Sequence, residues 1–373
     1  MKDHKGNDIF KLGFGLMRLP KLADGSIDIE QTSKMADMFM EAGGTYFDTA
    51  FVYDGGASEE AFRKAVVERH PRDSFTIATK LNVRAAKDEQ SAKQEFFTSL
   101  ERTGAGYFDF YLLHALMKMN YKLYEEYGIW DFVKEQRDKG LIKHWGFSFH
   151  STPQILEELL DAHPDVDFIQ IQLNYADWDN PSVCSGELYR IAKERHVPLV
   201  IMEPVKGGGL ADPPEKVKKL FKEADPNASC ASWALRYAAS LDGVFTVLSG
   251  MSNVEQMADN LSFMKNMKPL DEKEQEIIEK ARRIIKDEVV IPCTACHYCT
   301  DGCPQGIPIP EIFKVANDNM LAWGAPPAKG GYAAATKDKG KASDCVSCGQ
   351  CEAACPQGIN IISLLEQCRV MEG

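Results

Sequence analysis

Eight of the eleven cysteines fall in two runs of identical spacing. Cys293-Thr-Ala-Cys296-His-Tyr-Cys299-Thr-Asp-Gly-Cys303-Pro304 and Cys345-Val-Ser-Cys348-Gly-Gln-Cys351-Glu-Ala-Ala-Cys355-Pro356 both read C-x2-C-x2-C-x3-C-P. Three thiolates spaced this way wrap one face of an iron–sulfur cube. The fourth, beside a proline that turns the chain away, points at the other cube. One [4Fe–4S] cluster is therefore expected on Cys293, Cys296, Cys299 and Cys355, and a second on Cys345, Cys348, Cys351 and Cys303. A disulfide framework belongs to secreted chains, and the polar start Met1-Lys-Asp-His-Lys-Gly-Asn-Asp lacks the apolar stretch of a signal peptide. Structural zinc would use C-x2-C pairs and leave the third cysteine of each triplet surplus. Cys184, Cys230 and Cys368 remain, and are read as buried structural thiols.

A second set of chemically suggestive residues is scattered over the first third of the chain: Asp48, Tyr53, Lys80 and His114. Together they could reduce a carbonyl. A hydride arriving at the carbonyl carbon leaves charge on oxygen, which needs a proton donor. Tyr53 can serve if the neighbouring Lys80 lowers its pKa by stabilising phenolate. Asp48 would orient Lys80, and His114 would align the carbonyl oxygen by a hydrogen bond. Taken singly each has a bland reading: a loop cap, a loop aromatic, a solvated charge, a core histidine.

The elements that must position these residues alternate. Strands are expected at Leu12–Leu16, Thr45–Thr49, Phe75–Leu81, Phe108–His114, His144–Phe149, Phe168–Asn174, Leu199–Glu203 and Val244–Leu248. Helical periodicity lies between them, at Gln31–Ala42, Ser58–Arg69, Ala92–Arg102, Tyr121–Lys139, Pro153–Asp161, Gly186–Arg195, Ala228–Ala239 and Val254–Met264. Ser58, Thr152 and Ser252-Asn253 read as helix starts. Eight strand–helix units fit an α/β chain with a (β/α)8 TIM barrel over 1–287, whose chemistry sits at the C-terminal strand ends. No G-x-G-x-x-G follows the first strand, which disfavours a dinucleotide-binding doubly wound fold. Asp271–Lys286 reads as a closing helix. Residues 288–373 read as a small, mostly helical, ferredoxin-like dicluster domain, with helices at Pro308–Ala322 and Ile361–Gln367 and a flexible connection over Gly324–Lys341.

Phe47-Asp48-Thr49-Ala50-Phe51-Val52-Tyr53, Ala78-Thr79-Lys80 and Tyr111-Leu112-Leu113-His114 resemble the catalytic tetrad segments of the aldo-keto reductases. Gly13-Phe14-Gly15 and Trp145-Gly146-Phe147-Ser148 fit the same family over residues 10–285. With the cysteine runs, the chain is similar to the subgroup fused to a C-terminal 4Fe–4S dicluster domain. The resemblance implies NADPH binding without a Rossmann fold. It gives Ser148 and Gln170 the nicotinamide carboxamide and puts Met202 at the stacking position. Gly207 and Gly208 could let backbone approach the pyrophosphate. Gly250 to Asn260 resembles the adenosine segment, with Ser252, Asn253, Gln256 and Asn260 as its candidates. The basic residues that grip a 2′-phosphate in the family correspond to Gly250 and Gln256, so no guanidinium stands at either position. NADH remains open beside NADPH.

The leading expectation is an NAD(P)H-dependent oxidoreductase that interconverts a small carbonyl and its alcohol and carries two [4Fe–4S] clusters. The competing one is an iron–sulfur electron-transfer protein that passes electrons to a ferredoxin- or flavodoxin-type partner, with the barrel as a binding module. A third makes the clusters structural. Hydride transfer moves two electrons and needs no iron, and no flavin motif is visible to mediate. The 373-residue chain carries a net charge of −12, which argues against nucleic-acid partners. It shows no apolar run of membrane-spanning length, and a cytoplasmic location is expected.

Overall fold

The computed structural model describes residues 6, 8–288, 291–320 and 329–372. Eight parallel strands close a barrel in sequence order. They are β1 (Leu12–Gly15), β2 (Tyr46–Asp48), β3 (Thr76–Leu81), β4 (Phe108–Leu116), β5 (Ile142–Phe149), β6 (Phe168–Gln172), β7 (Leu199–Met202) and β8 (Val244–Ser249). All eight expected strands are present, with ends shifted by one to two residues. Most strand residues are buried, because helices cover the outer face of a parallel barrel while side chains fill its inside.

One end of the barrel is plugged by aromatics from alternate strands. Tyr46, Phe110, Phe168 and Phe245 come from β2, β4, β6 and β8. The Tyr46–Phe110 and Phe110–Phe168 ring centroids are 5.0 and 5.2 Å apart. These residues stand near the N-terminal ends of their strands, so polar groups near the C-terminal ends are left to face the other mouth.

The helices depart from expectation in instructive places. The run over 121–139 is two helices, Tyr121–Glu126 and Ile129–Asp138, interrupted at Tyr127-Gly128. Ser58 is not a cap. The helix begins at Ala57, and Ser58 lies inside it with its hydroxyl donating to the Leu16 carbonyl at 3.0 Å and paired with Thr49 Oγ1 at 2.8 Å. Asn253 is a cap, accepting from the Gln256 N–H at 2.8 Å. Pro153 opens its helix after Thr152, whose side chain makes no capping bond. A helix at Glu215–Ala224, absent from the sequence reading, buries Val217 and Phe221.

The chain divides into two compact units. One comprises Met1–Asp179, Cys184–Pro204 and Ala231–Glu274. The other comprises Asn180–Val183, Val205–Cys230 and Gln275–Gly373. In the second unit each cysteine run ends in the same turn: Cys303-Pro-Gln-Gly306-Ile-Pro-Ile309 and Cys355-Pro-Gln-Gly358-Ile-Asn-Ile361. The Gly306 N–H donates to the Cys303 carbonyl at 3.1 Å, and the Gly358 N–H to the Cys355 carbonyl at 3.2 Å. Helices Ile309–Met320 and Ile361–Cys368 then begin at matching positions. Ile307, Ile309, Phe313, Ile359, Ile361 and Leu365 form one apolar core with the cysteines.

The connection expected to be flexible holds a helix, Lys329–Ala335, in its described part; residues 321–328 lie outside the described residues. Tyr332 anchors that helix. Its buried hydroxyl accepts the Ala342 N–H at 2.7 Å and donates to Glu372 at 3.0 Å. Among the described residues no helix is long and apolar enough to cross a membrane.

Candidate active site and cluster sites

Asp48 closes β2, Lys80 lies in β3 and His114 in β4, so three neighbouring strands deliver them. Tyr53 enters from the turn after β2. Lys80 is fully buried, and its ammonium donates to Asp48 Oδ1 at 2.6 Å, the Thr49 carbonyl at 2.6 Å and Tyr53 Oη at 3.4 Å. Three donors meet three acceptors, so the cation is held in one place. Tyr53 and His114 meet edge to face, ring centroids 5.6 Å apart.

Burial dominates the electrostatics. It pushes the Asp48 carboxyl up and the Lys80 ammonium down, and each partner's charge pulls the other back. Removing either would leave a buried charge without its counter-ion. Tyr53 is pushed well above an ordinary phenol by burial, then by Asp48 and Glu203. This reverses the sequence expectation that Lys80 lowers it. The cost of putting phenolate in a dry site outweighs the ammonium at 3.4 Å. Tyr53 is therefore held protonated. His114 is held well below an ordinary imidazole by burial, then by Lys80, His150 and Arg84. It is neutral at physiological pH, and its buried Nδ1 has no hydrogen-bond partner.

Residues that the sequence reading missed hold this geometry. Arg102, from the helix Glu89–Thr103, donates to the Phe51 carbonyl at 3.0 Å and lies 4.5 Å over the Phe51 ring. Its counter-ion is the fully buried Glu59 at 3.4 Å, which also accepts from Thr79 at 2.7 Å. A Cβ at Gly56 would meet that guanidinium at 2.4 Å, so only glycine fits where the turn carrying Tyr53 ends. Tyr124 donates to the His114 carbonyl at 2.5 Å. No short-range pattern marks these residues, because each acts across forty or more positions or through a backbone carbonyl.

The nucleotide candidates occupy several strand ends. Ser148 Oγ accepts the Ala115 N–H at 2.7 Å, which leaves its hydroxyl proton available. Gln170 donates weakly to the Met202 sulfur at 3.5 Å, while its buried Oε1 has no hydrogen-bond partner. An orphaned acceptor beside an available hydroxyl suits an amide ligand, which offers one donor group and one acceptor. Met202 ends β7 half-buried. Ser252, Asn253 and Gln256 are tied to one another: Gln256 Oε1 accepts the Ser252 N–H at 2.7 Å while Asn253 caps Gln256. Asn260 donates to Ser249 at 2.7 Å. Gly208 has open space around it. Gly207 does not, since a Cβ there would stand 2.1 Å from the Thr294 carbonyl. Its close approach is to the first cysteine run.

The cysteines gather as two sets in the second unit. Cys293, Cys296, Cys299 and Cys355 line one cavity with Ile309, Phe313, Ile359 and Gln357. Cys303, Cys345, Cys348 and Cys351 line another with Ile307, Ile362 and Leu365. Each set crosses from one run to the other. Among the described residues no three Cys, His, Asp or Glu side chains converge tightly enough for one metal ion. The thiols ring a space rather than a point, whereas a lone tetrahedral ion would draw each sulfur to about 2.3 Å. Burial pushes the Cys299 thiol well up, and Cys296, Cys293 and Cys355 push it further. Burial likewise pushes Cys351 up to about 11, with Cys345 and Cys303 among the contributors. Each set rings an apolar-walled space with four sulfurs drawn from both runs, so both sets fit an iron–sulfur cluster. Cys368 is buried as expected, but Cys184 and Cys230 are only half-buried.

Comparison with known proteins agrees with both halves. Residues 11–283 match the aldo/keto reductase family, and residues 292–360 match the 4Fe-4S dicluster domain. The chain is 24% identical over 297 residues to the uncharacterized oxidoreductase YqkF of Bacillus subtilis, covering 72% of this chain and 90% of that one. It is 26% identical over 257 residues to an aldo-keto reductase of Mycobacterium avium, covering 68% and 82%. The holo structure of aldo-keto reductase AKR11C1 from Bacillus halodurans superposes with a TM-score of 0.59 at 26% identity, covering 73% of this chain and 91% of that one. An aldo-keto reductase from Klebsiella pneumoniae in complex with NADPH shares the fold, with a TM-score of 0.59 at 18% identity over 76% and 95%.

Proposed function

Because the chain belongs to the aldo/keto reductase family and carries a 4Fe-4S dicluster domain after the barrel, we propose that it reduces a small carbonyl to its alcohol with NADPH or NADH. The barrel spans 1–287 in this reading, and residues 288–373 carry two [4Fe–4S] clusters. The observation that carries it is the fully buried Lys80 ammonium, bonded at once to Asp48, the Thr49 carbonyl and the Tyr53 hydroxyl. The nucleotide, when bound, supplies the hydride to the carbonyl carbon.

The chain's own residues do the rest. His114, neutral and with one ring nitrogen unpaired, donates to the substrate oxygen from whichever nitrogen carries the proton. Tyr53 gives that oxygen its proton as negative charge builds. The phenolate left behind lies 3.4 Å from the Lys80 ammonium, which Asp48 and Thr49 keep aimed at it. A phenol pushed up by burial starts the reduction protonated. Ser148 and the orphaned Gln170 Oε1 receive the nicotinamide carboxamide, and Met202 lies against its ring. Ser252, Asn253, Gln256 and Asn260 take the adenosine end. Gly207 has a separate packing duty against Thr294.

The test is anaerobic turnover of small aldehydes and ketones with each nucleotide, followed by its absorbance, in wild type and Tyr53→Phe. The reading expects turnover with at least one nucleotide and its loss in the variant with nucleotide binding kept. Equal rates in both proteins would reject Tyr53 as the acid.

A second reading has a specific observation behind it. Cys348 is an exposed member of its set, and Val346 beside it is 58% exposed. An exposed ligand is where a one-electron carrier of the ferredoxin or flavodoxin type would exchange electrons. The clusters then serve a redox partner rather than the hydride step.

A further inference from the structure

The second unit is built from a repeat, and its symmetry is broken at one place. Gln305 and Gln357 occupy equivalent positions, each two residues after the last cysteine of its run. Gln305 is exposed, whereas Gln357 is only 4% exposed. What covers the second copy is the segment that follows β7. Lys206 is itself buried, and its ammonium donates to Gln357 Oε1 at 3.3 Å. The next residue, Gly207, presses its backbone onto the Thr294 carbonyl, between Cys293 and Cys296. Lys206 and Gly207 both take left-handed backbone angles, φ 50° and 65°. For a lysine that conformation is disfavoured and persists only where the surroundings impose it. Two consecutive residues thus bridge the two chain segments that supply the cavity of Cys293, Cys296, Cys299 and Cys355. The other cavity has the exposed Gln305 at the equivalent position.

We infer that Lys206 is a tuning residue: its buried positive charge raises the reduction potential of the Cys293/Cys296/Cys299/Cys355 cluster and leaves the other cluster untouched. This rests on the proposal that the two cysteine sets hold [4Fe–4S] clusters. Each such cluster takes up one electron, its core passing from 2+ to 1+, so with four thiolates the net charge falls from −2 to −3. A fixed cation beside the coat of one cluster favours the more negative state there, and net charge is among the determinants of cluster potential. The repeat would otherwise give two closely similar sites. The lysine makes them unequal, so that electrons arriving singly settle on the Cys293/Cys296/Cys299/Cys355 cluster first or leave it last.

The experiment is a redox titration of the full-length, anaerobically prepared protein, with dithionite as reductant and EPR as the readout. Wild type is compared with Lys206→Gln, Lys206→Met and Lys206→Arg, with iron and sulfide measured in each. Both neutral variants should keep full iron and shift one of two cluster signals to lower potential. At the wild-type midpoint of that signal its oxidised-to-reduced ratio should rise roughly tenfold, about 59 mV for one electron. The second signal should not move, and Lys206→Arg should titrate like wild type. Unchanged midpoints, equal shifts of both signals, or loss of iron from either neutral variant would overturn the inference, the last by making Lys206 a structural support. Wild type that binds no cluster at all would instead overturn the cluster reading beneath it.

Discussion

The barrel site and the cysteine sites solve the same problem, bringing a few reactive groups together, by opposite means. In the barrel, Asp48, Lys80 and His114 are far apart in sequence and meet because β2, β3 and β4 are neighbours in register. Their spacing carries no message, and their chemistry depends on burial. In the second unit the proposed ligands come from two short runs whose spacing is itself the message, and local turns do the placing. The difference implies different failure modes. A change in the barrel should disturb charge and proton transfer while leaving iron alone. A change in a cysteine run should remove a cluster while leaving the barrel's hydride chemistry intact.

The sharpest way to break that contrast is Tyr53→Phe. Turnover should fall by about 10²–10⁴-fold, the range of a positioned proton donor, with iron content and nucleotide affinity unchanged by chemical assay and fluorescence titration. Next come Cys355→Ala and Cys303→Ala. Each should cost about half of the bound iron, and the EPR signals lost should be different ones. Loss of the same signal in both would contradict the crossed ligand sets. Nucleotide binding should survive in both variants.

Lys80→Met strands Asp48 as a buried charge. It should destabilise the protein by about 3–5 kcal/mol, read as a lower denaturation midpoint, in addition to abolishing turnover. Arg102→Met acts at one remove, through the Phe51 carbonyl and the turn behind Tyr53. A drop in kcat with the nucleotide KM unchanged, partly restored by Arg102→Lys, would mark it as a positioning residue.

A further expected effect is on pH dependence. Burial pushes the Glu95 carboxyl up to about 8 against an ordinary 4.5, despite its hydrogen bond from the Asn82 N–H at 2.8 Å. A carboxyl raised in the folded state holds its proton there while the unfolded chain loses it. Its contribution is complete below 4.5 and is lost as pH rises through about 8. Melting temperatures of Glu95→Gln should therefore gain on wild type between pH 5 and pH 8. A constant gap across that range would place the Glu95 titration elsewhere.

The two regions were also legible to different degrees. Strand order could be read because a parallel barrel needs near-continuous apolar runs, and these stand out against amphipathic helices. The cysteine sets could be read from spacing alone. Tyr53's protonation could not, since it turns on how dry the site is. Arg102, Glu59 and Tyr124 escaped because they act on backbone carbonyls or on one another across distant segments. Gly207, expected at the pyrophosphate, also packs its backbone against the Thr294 carbonyl, a contact that no short-range pattern marks. Ser58 looked like a cap because its neighbours are acidic, yet it is buried and bonded to β1's loop and to Thr49.

In the proposed mechanism hydride passes from nucleotide to carbonyl within the barrel, without passage through iron. The direct measurement is anaerobic reduction of a small carbonyl by nucleotide deuterated at C4, on each face in turn, with the clusters loaded. The predicted result is product carrying one deuterium on the carbinol carbon from one face and none from the other. Product whose carbinol hydrogen comes from water with either label would mean that electrons travel singly, and would contradict the assignment of the chemistry to Tyr53, Lys80, Asp48 and His114.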